Sequence, residues 1–379
     1  MDDLLLQPAR LIQGRGSIEQ LAEWAQPGEV LLIHSKSLNA IERLVQDWPL
    51  TSRPLTICAV SGEPELEQLE QHLGVWRNKA FASVIAVGGG STVDYGKAVA
   101  ALLNAKAPIA DYLEVVGRGT PLDHDIVAFI AVPTTVGTGA EATKNAVIKV
   151  KDRGVKVSLR DPKMIPSCVI LDANLCDDLP WHIIFSTGMD AITQLIESFL
   201  SCKATPQTDA ICKAQIPIAL ESLFRLSLDR LLAPELERLQ HAAYMSGVAL
   251  ANSGLGVVHG FASVIGGAYE CAHGAICAQL LPAALQVNRQ VMAQRQLSLQ
   301  KFEQLDDMVQ TAFGETGTVD QLLGRFVFTH LTNRLPNEVF SEPAANALVQ
   351  GAMQSSSFKG NPISLAFDET LQVLITSRR

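Results

Sequence analysis

Four apolar runs in the first half of the chain limit its fold more than any other feature. They read 29-EVLLIHS-35, 55-LTICAVS-61, 83-SVIAVGG-89 and 127-VAFIAVPTT-135. Each is a short run of mainly Val, Ile, Leu, Ala and Phe without strict polar alternation. Strands apolar on both faces must be covered on both faces, which is the condition of a parallel sheet between helices. The intervening segments supply the cover. Residues 36-KSLNAIERLVQDW-48 and 64-PELEQLEQHLGVWRN-78 carry apolar side chains at helical spacing, and the second has Pro in its first turn. The expected fold is an α/β domain with a mainly parallel sheet.

From about Pro180 the pattern changes. Residues 189-MDAITQLIESFLSC-202, 208-TDAICKAQIPIALESLFRLSLDRLL-232 and 236-LERLQHAAYMSGVALANS-253 have helical spacing, and no strand-like alternation follows. We expect residues 1–180 to form the α/β nucleotide-type domain and residues 181–379 an all-α domain.

The composition excludes several classes. The 379 residues are 47% hydrophobic with a net charge of −9, and there is no Lys/Arg-rich block. Disorder, nucleic acid and anionic membrane are therefore not expected. The longest apolar runs, such as 126-IVAFIAV-132, fall far short of the roughly 18 residues of a membrane helix. The start, MDDLLLQPARL, is acidic where a signal peptide is basic. Seven cysteines occur without a CxxC spacing. A cytoplasmic chain with reduced thiols is the expectation.

Three places carry candidate chemistry. In 83-SVIAVGGGSTVDYGKAVAALLN-104 a strand runs through Gly88, Gly89 and Gly90 into a helix that Ser91 is placed to cap. Free amides at a helix start suit a pyrophosphate, but the pattern is not GxGxxG, and a purely structural turn is an equal reading. In 133-PTTVGTGAEATKN-145, Thr134, Thr135 and Thr138 offer hydroxyls at the carboxyl end of a strand, where open α/β sheets bind ligands. An ordinary Thr/Gly turn is the alternative there. Finally, 254-GLGVVHGFASVIGGAYECAHG-274 holds His259 and His273 in apolar sequence. Upstream, Asp190, Gln194 and Glu197 share one helix face. Two imidazoles and a carboxylate match a divalent-metal site with open positions, whereas core histidines bonded to carbonyls are the competing reading.

Taken together the motifs point further. GGGSTVDYGKA (88–98), VPTTVGTGAEAT (132–143), KVSLRDPKMIPSCVILDANLCDDLP (156–180), STGMDAITQLIES (186–198), GVVHGFASVIGGAYECAHG (256–274) and LPAALQVN (281–288) occur in this order. In order and spacing the chain resembles the iron-containing (group III) alcohol dehydrogenase family, within the dehydroquinate synthase-like superfamily. The resemblance implies an α/β dinucleotide-binding domain, an all-α metal and substrate domain, and a cleft between them. It implies hydride transfer between a nicotinamide and an alcohol or aldehyde, and commonly a homodimer. Gly89, Gly90, Ser91 and Asp94 would meet the cofactor phosphates and sugar, with Thr134, Thr135 and Thr138 near the phosphate and nicotinamide. Val147 and Lys156 match further cofactor positions. Asp190, His259 and His273 match three metal ligands and form the catalytic centre.

The chain also departs from the family. Gln194 stands where a fourth ligand, His, is usual; its amide oxygen is a weaker donor for a hard cation. Ser263 stands four residues after His259, where a proton-handling His is frequent. A glycerol dehydrogenase-like branch works with Asp/His/His and zinc, so zinc competes with iron. Ser35, next to Lys36, replaces the Asp that accepts from the ribose 2′-hydroxyl, which favours NADP(H) over NAD(H). Two other classes share the pattern: a dehydroquinate synthase-like cyclase or lyase, and a nucleotide-binding homologue that has lost catalysis.

Overall fold

The computed structural model describes residues 5–38, 53–230 and 232–378. The helix expected over 36–48 lies almost wholly outside the described residues. Two compact units divide the chain, residues 1–178 and 179–379.

The first unit is built on a six-stranded, wholly parallel sheet. Its strands are β1 (Leu11–Gln13), β2 (Glu29–Ser35), β3 (Leu55–Val60), β4 (Phe81–Gly88), β5 (Ala128–Pro133) and β8 (Cys168–Leu171). Their order is β1-β8-β5-β4-β2-β3. Val30, Leu32, Ile85, Val87, Ile130, Val132 and Ile170 form one buried cluster on it. From β2 the chain moves outward to β3, and from β4 it moves the opposite way to β5. The carboxyl ends of β2 and β4 therefore flank the point where strand order reverses, the place where such sheets open a ligand crevice. Ser35 ends β2 there, and Gly88 ends β4.

Helix α1 (Leu66–Trp76) and helix α2 (Gly90–Leu102) follow β3 and β4. A separate antiparallel hairpin, β6 (Asn145–Val150) with β7 (Val155–Arg160), joins the unit. The edge strand β1, strand β8 and this hairpin are additions to the four strands expected.

The second unit is helical among the described residues. Its main helices are α3 (Trp181–Leu200), α4 (Pro206–Leu228), α5 (Ala233–Ser253), α6 (Val257–Ala268), α7 (His273–Gln294), α8 (Gln300–Phe313), α9 (Val319–His330), α10 (Glu342–Gln354) and α11 (Phe367–Thr376). Helix α3 is central, packed against α4, α5 and α7. Every residue from Gly188 to Leu200 is buried, so each polar group there must find a partner inside the protein. No single described helix is long and apolar enough to cross a membrane.

Candidate functional site

The metal candidates assemble from three helices. Asp190 lies mid-way along α3 and is 2% exposed. His259 sits in the first turn of α6, and His273 is the first residue of α7. Nε2 of His259 lies 3.2 Å from Asp190 Oδ1, and Nε2 of His273 lies 3.8 Å from the same oxygen. A fourth side chain joins them. Cys277, one helical turn beyond His273 and fully buried, brings its sulfur to 3.8 Å from His259 Nε2. One donor atom from each of Asp190, His259, His273 and Cys277 lies within 4.8 Å of the other three.

Two local devices hold this arrangement. The first is Glu197, two turns after Asp190 on α3. Its carboxylate accepts from the backbone N–H of Gly256 at 2.9 Å and of Val258 at 2.7 Å, which satisfies the free amides at the start of α6. It also lies 2.7 Å from Nδ1 of His259. With Nδ1–H committed to Glu197, Nε2 is the nitrogen that faces Asp190, the orientation a ligand imidazole needs. A side chain at Gly256 would put its Cβ 2.7 Å from Glu197 Oε1. The second device is Gly274. A Cβ there would fall 2.0 Å from the carbonyl oxygen of Ser186 on α3. Only glycine lets the first turn of α7 approach α3 closely enough to bring His273 beside Asp190.

The electrostatics follow from this packing. Burial disfavours charge on Asp190, but His273 and His259 outweigh it and hold the carboxyl below its ordinary range. Burial likewise opposes charging of the rings, yet Cys277 and Asp190 overcome it. His259 is raised well above its usual value, and His273 is pushed up to about 9.

Two side chains that depart from the family pattern have partners here. The amide oxygen of Gln194 accepts from Ser246 Oγ of α5 at 2.6 Å. Ser263 donates to the carbonyl of Gly260 at 2.8 Å, within its own helix. Cys277 was not anticipated. Its signal is the four-residue step from His273, which places both on one face once His273 is known to begin a helix.

In the first unit, the glycine turn and the threonine loop meet. The backbone N–H of Thr134 donates to Gly88 O at 2.9 Å. A Cβ on Gly89 would sit 3.2 Å from Thr135 Cγ2, and one on Gly90 would sit 2.7 Å from Thr138 Oγ1. Gly89 is the cap residue of α2, and no side chain caps this helix. Ser91 is the second residue of the helix, so it does not cap it as expected, because the turn closes one residue earlier. Thr134 is buried. The hydroxyl of Thr135 is also buried and has no hydrogen-bond partner among the described residues. Asp94, one turn into α2, accepts from Val147 N at 3.0 Å and lies 3.7 Å from Lys97, tying α2 to the hairpin. Lys156 is paired with Glu63 at 2.5 Å. Ser35 Oγ lies 2.7 Å from Ser37 Oγ, with exposed Lys36 between them.

Behind the loop, Glu141 is buried and its Oε2 has no hydrogen-bond partner among the described residues. Burial pushes its carboxyl up to about 7, against the attraction of Lys97. A carboxyl raised from 4.5 to about 7 contributes stability that is complete below pH 4.5 and lost as pH rises through 7. Glu141→Gln should therefore flatten the fall in stability over that window, read as the denaturant midpoint at successive pH values. An unchanged pH profile would contradict this.

Comparison with known proteins agrees with the two units. Residues 8–173 match the family model described as iron-containing alcohol dehydrogenase. Residues 184–377 match the C-terminal model of the Fe-containing alcohol dehydrogenase family. An NAD-dependent methanol dehydrogenase of Bacillus methanolicus is 33% identical over 215 residues, 57% of this chain and 55% of that protein. A probable alcohol dehydrogenase, EutG, of Escherichia coli (strain K12) is 35% identical over 236 residues, 62% of this chain and 58% of that protein. The matches thus span little more than half the length of these curated relatives. The crystal structure of sulfoacetaldehyde reductase from Bifidobacterium kashiwanohense in complex with NAD+ shares the fold. Its TM-score is 0.84 at 20% identity, covering 98% of this chain and 97% of the other. With both units matched by the family's own models, the chain belongs to the iron-containing alcohol dehydrogenase family.

Proposed function

We propose that this protein interconverts a small alcohol and its aldehyde or ketone, using a nicotinamide dinucleotide and one divalent metal ion. The observation that carries the reading is the convergence of Asp190, His259 and His273, where Nε2 of the two imidazoles lies 3.2 Å and 3.8 Å from the same carboxylate oxygen of Asp190. That donor set fits a single cation. The glycine turn against the threonine loop, with the unpartnered hydroxyl of Thr135, fits the polar backbone of a dinucleotide.

When bound, the ion supplies Lewis acidity toward the substrate oxygen, and the nicotinamide donates or accepts the hydride. The chain's own residues do the rest. Asp190 provides the negative charge of the centre, and Glu197 fixes the face that His259 presents. The uncapped first turn of α2 offers its amides and positive dipole end to a pyrophosphate. Ser263 is bonded within its helix, so it does not replace the missing imidazole as proton carrier. The side chain of His273 is 48% exposed, and the centre opens to water on that side, which gives the proton its exit.

The cofactor reading rests on Ser35 and Lys36 at the end of β2, where no carboxylate repels a 2′-phosphate. We expect NADPH to be accepted at least as well as NADH, although one compared relative is named NAD-dependent and one compared structure is a complex with NAD+. The test is an absorbance assay of the metal-loaded protein with NADH and NADPH in parallel, over short aldehydes, ketones and polyols. Metal-dependent oxidation of either cofactor is the expected result. No turnover across the panel by a fully loaded protein would overturn the reading.

A further inference from the structure

The sulfur of Cys277 has no role in the reading above, yet it lies among the donors. Resting on that metal reading, we propose that Cys277 is itself a ligand, as a thiolate, making an Asp190/His259/His273/Cys277 centre suited to zinc more than to iron.

Geometry is the first support. Zinc sits about 2.0–2.1 Å from nitrogen or oxygen and about 2.3 Å from sulfur, so tetrahedral donors stand roughly 3.3–3.6 Å apart. The observed separations are 3.2 Å between His259 and Asp190, 3.8 Å between His273 and Asp190, and 3.8 Å between Cys277 and His259. These three separations lie within a few tenths of an ångström of the tetrahedral values, and all four donor atoms fall within 4.8 Å of one another.

Placement is the second. His273 and Cys277 lie four residues apart on one face of α7, whose first turn is pinned to α3 by the contact at Gly274. The sulfur is thus held as firmly as the imidazole. On the same face of α3, the amide oxygen of Gln194 accepts from Ser246 Oγ.

Charge is the third. Glu197 is already matched by the amides of α6 and by His259. One carboxylate alone leaves a divalent ion with excess positive charge beside Asp190, His259 and Cys277, which are all buried. A thiolate with Asp190 balances it, and buried charge is stable only when compensated. Thiolate donors favour soft or borderline ions, zinc among them. On binding, the S–H bond is replaced by the bond from sulfur to the ion, and the proton leaves to water.

The experiment uses the full chain, stripped with a chelator and reloaded with one equivalent of cobalt(II) or zinc(II). The cobalt form should show a thiolate-to-metal charge-transfer band in the near ultraviolet. The zinc form should show one sulfur at about 2.3 Å by X-ray absorption. Cys277→Ser should abolish both signals and weaken zinc binding at least about tenfold, since even residues behind the ligands cost that much. A loaded native protein with only nitrogen and oxygen neighbours would overturn this inference and leave the metal reading standing. A band that survives in Cys277→Ser would overturn it too. A native protein that takes up no ion would overturn the metal reading itself. The spectra of the native protein decide the question even if the variant folds poorly.

Discussion

Asp190→Ala is expected to leave the protein without bound metal and to lower kcat by about a thousandfold or more, the scale of several kcal/mol of Lewis-acid stabilisation. The reason is its position as the shared partner. Both imidazoles face the same oxygen, Oδ1, at 3.2 Å and 3.8 Å. Removing it takes away the only carboxylate among the clustered donors and leaves His259 and His273 facing each other, their ring centroids 5.5 Å apart. Elemental analysis and cofactor absorbance on the same preparation check both halves of the expectation. Asp190→Asn keeps the shape and removes the charge, so it should retain the fold and still lose the metal. Full turnover in a metal-free preparation of either variant would remove Asp190 from the centre.

Glu197→Gln is the second large effect, and it should appear first in stability. The carboxylate is buried and accepts from the backbone amides of Gly256 and Val258 and, at 3.4 Å, of His259, and it meets one imidazole nitrogen. Hydrogen bonds to a charged group contribute about 1.5–3 kcal/mol each, and breaking a buried ionic arrangement costs about 3–5 kcal/mol. An amide can accept through one oxygen only, so at least one donor at the start of α6 is left unmet. A loss of about 3 kcal/mol is expected, seen as a lower denaturant midpoint with unchanged slope. Because His259 also loses its orienting partner, metal affinity should fall about 10–100-fold. A variant with native stability and native affinity would show that Glu197 neither caps α6 nor aims His259.

Much of the fold was legible because burial writes itself into the residues. The runs that became β2, β3, β4 and β5 are apolar on both faces as a covered strand must be, and most of helix α3 shows apolar residues at helical spacing. The strands that were not foreseen give weak signals for physical reasons. Strand β1 has three residues, none of them buried, so its place is set by pairing with β8 and not by its own pattern. Strand β8 has only four, set between a Pro-Ser turn and Asp172. The hairpin does alternate between buried and outward residues, but over six positions a side.

The site was legible in part. Asp190, His259 and His273 were picked out as ionisable groups in apolar sequence, and the structure brings them together. Spacing alone does not do so, since Asp190 and His259 are 69 residues apart and meet only through packing. Cys277 shows the limit more clearly. A buried cysteine in an apolar helix looks like any small core residue until the neighbour it touches is known. The hydrogen bond from Ser246 to Gln194 is equally hidden, because that partner on α5 lies outside any local pattern.

Gly274 has no chemistry of its own, yet it sets the tolerance of the centre. His273 and Cys277 ride on the same rigid turn, and that turn rests on the carbonyl of Ser186. Anything that widens this contact displaces both donors together, by the same amount and in the same direction. Half of the donor set thus behaves as one mechanical part, a jaw closing on Asp190 and His259, and its gap is set by a hydrogen atom where every other residue carries carbon.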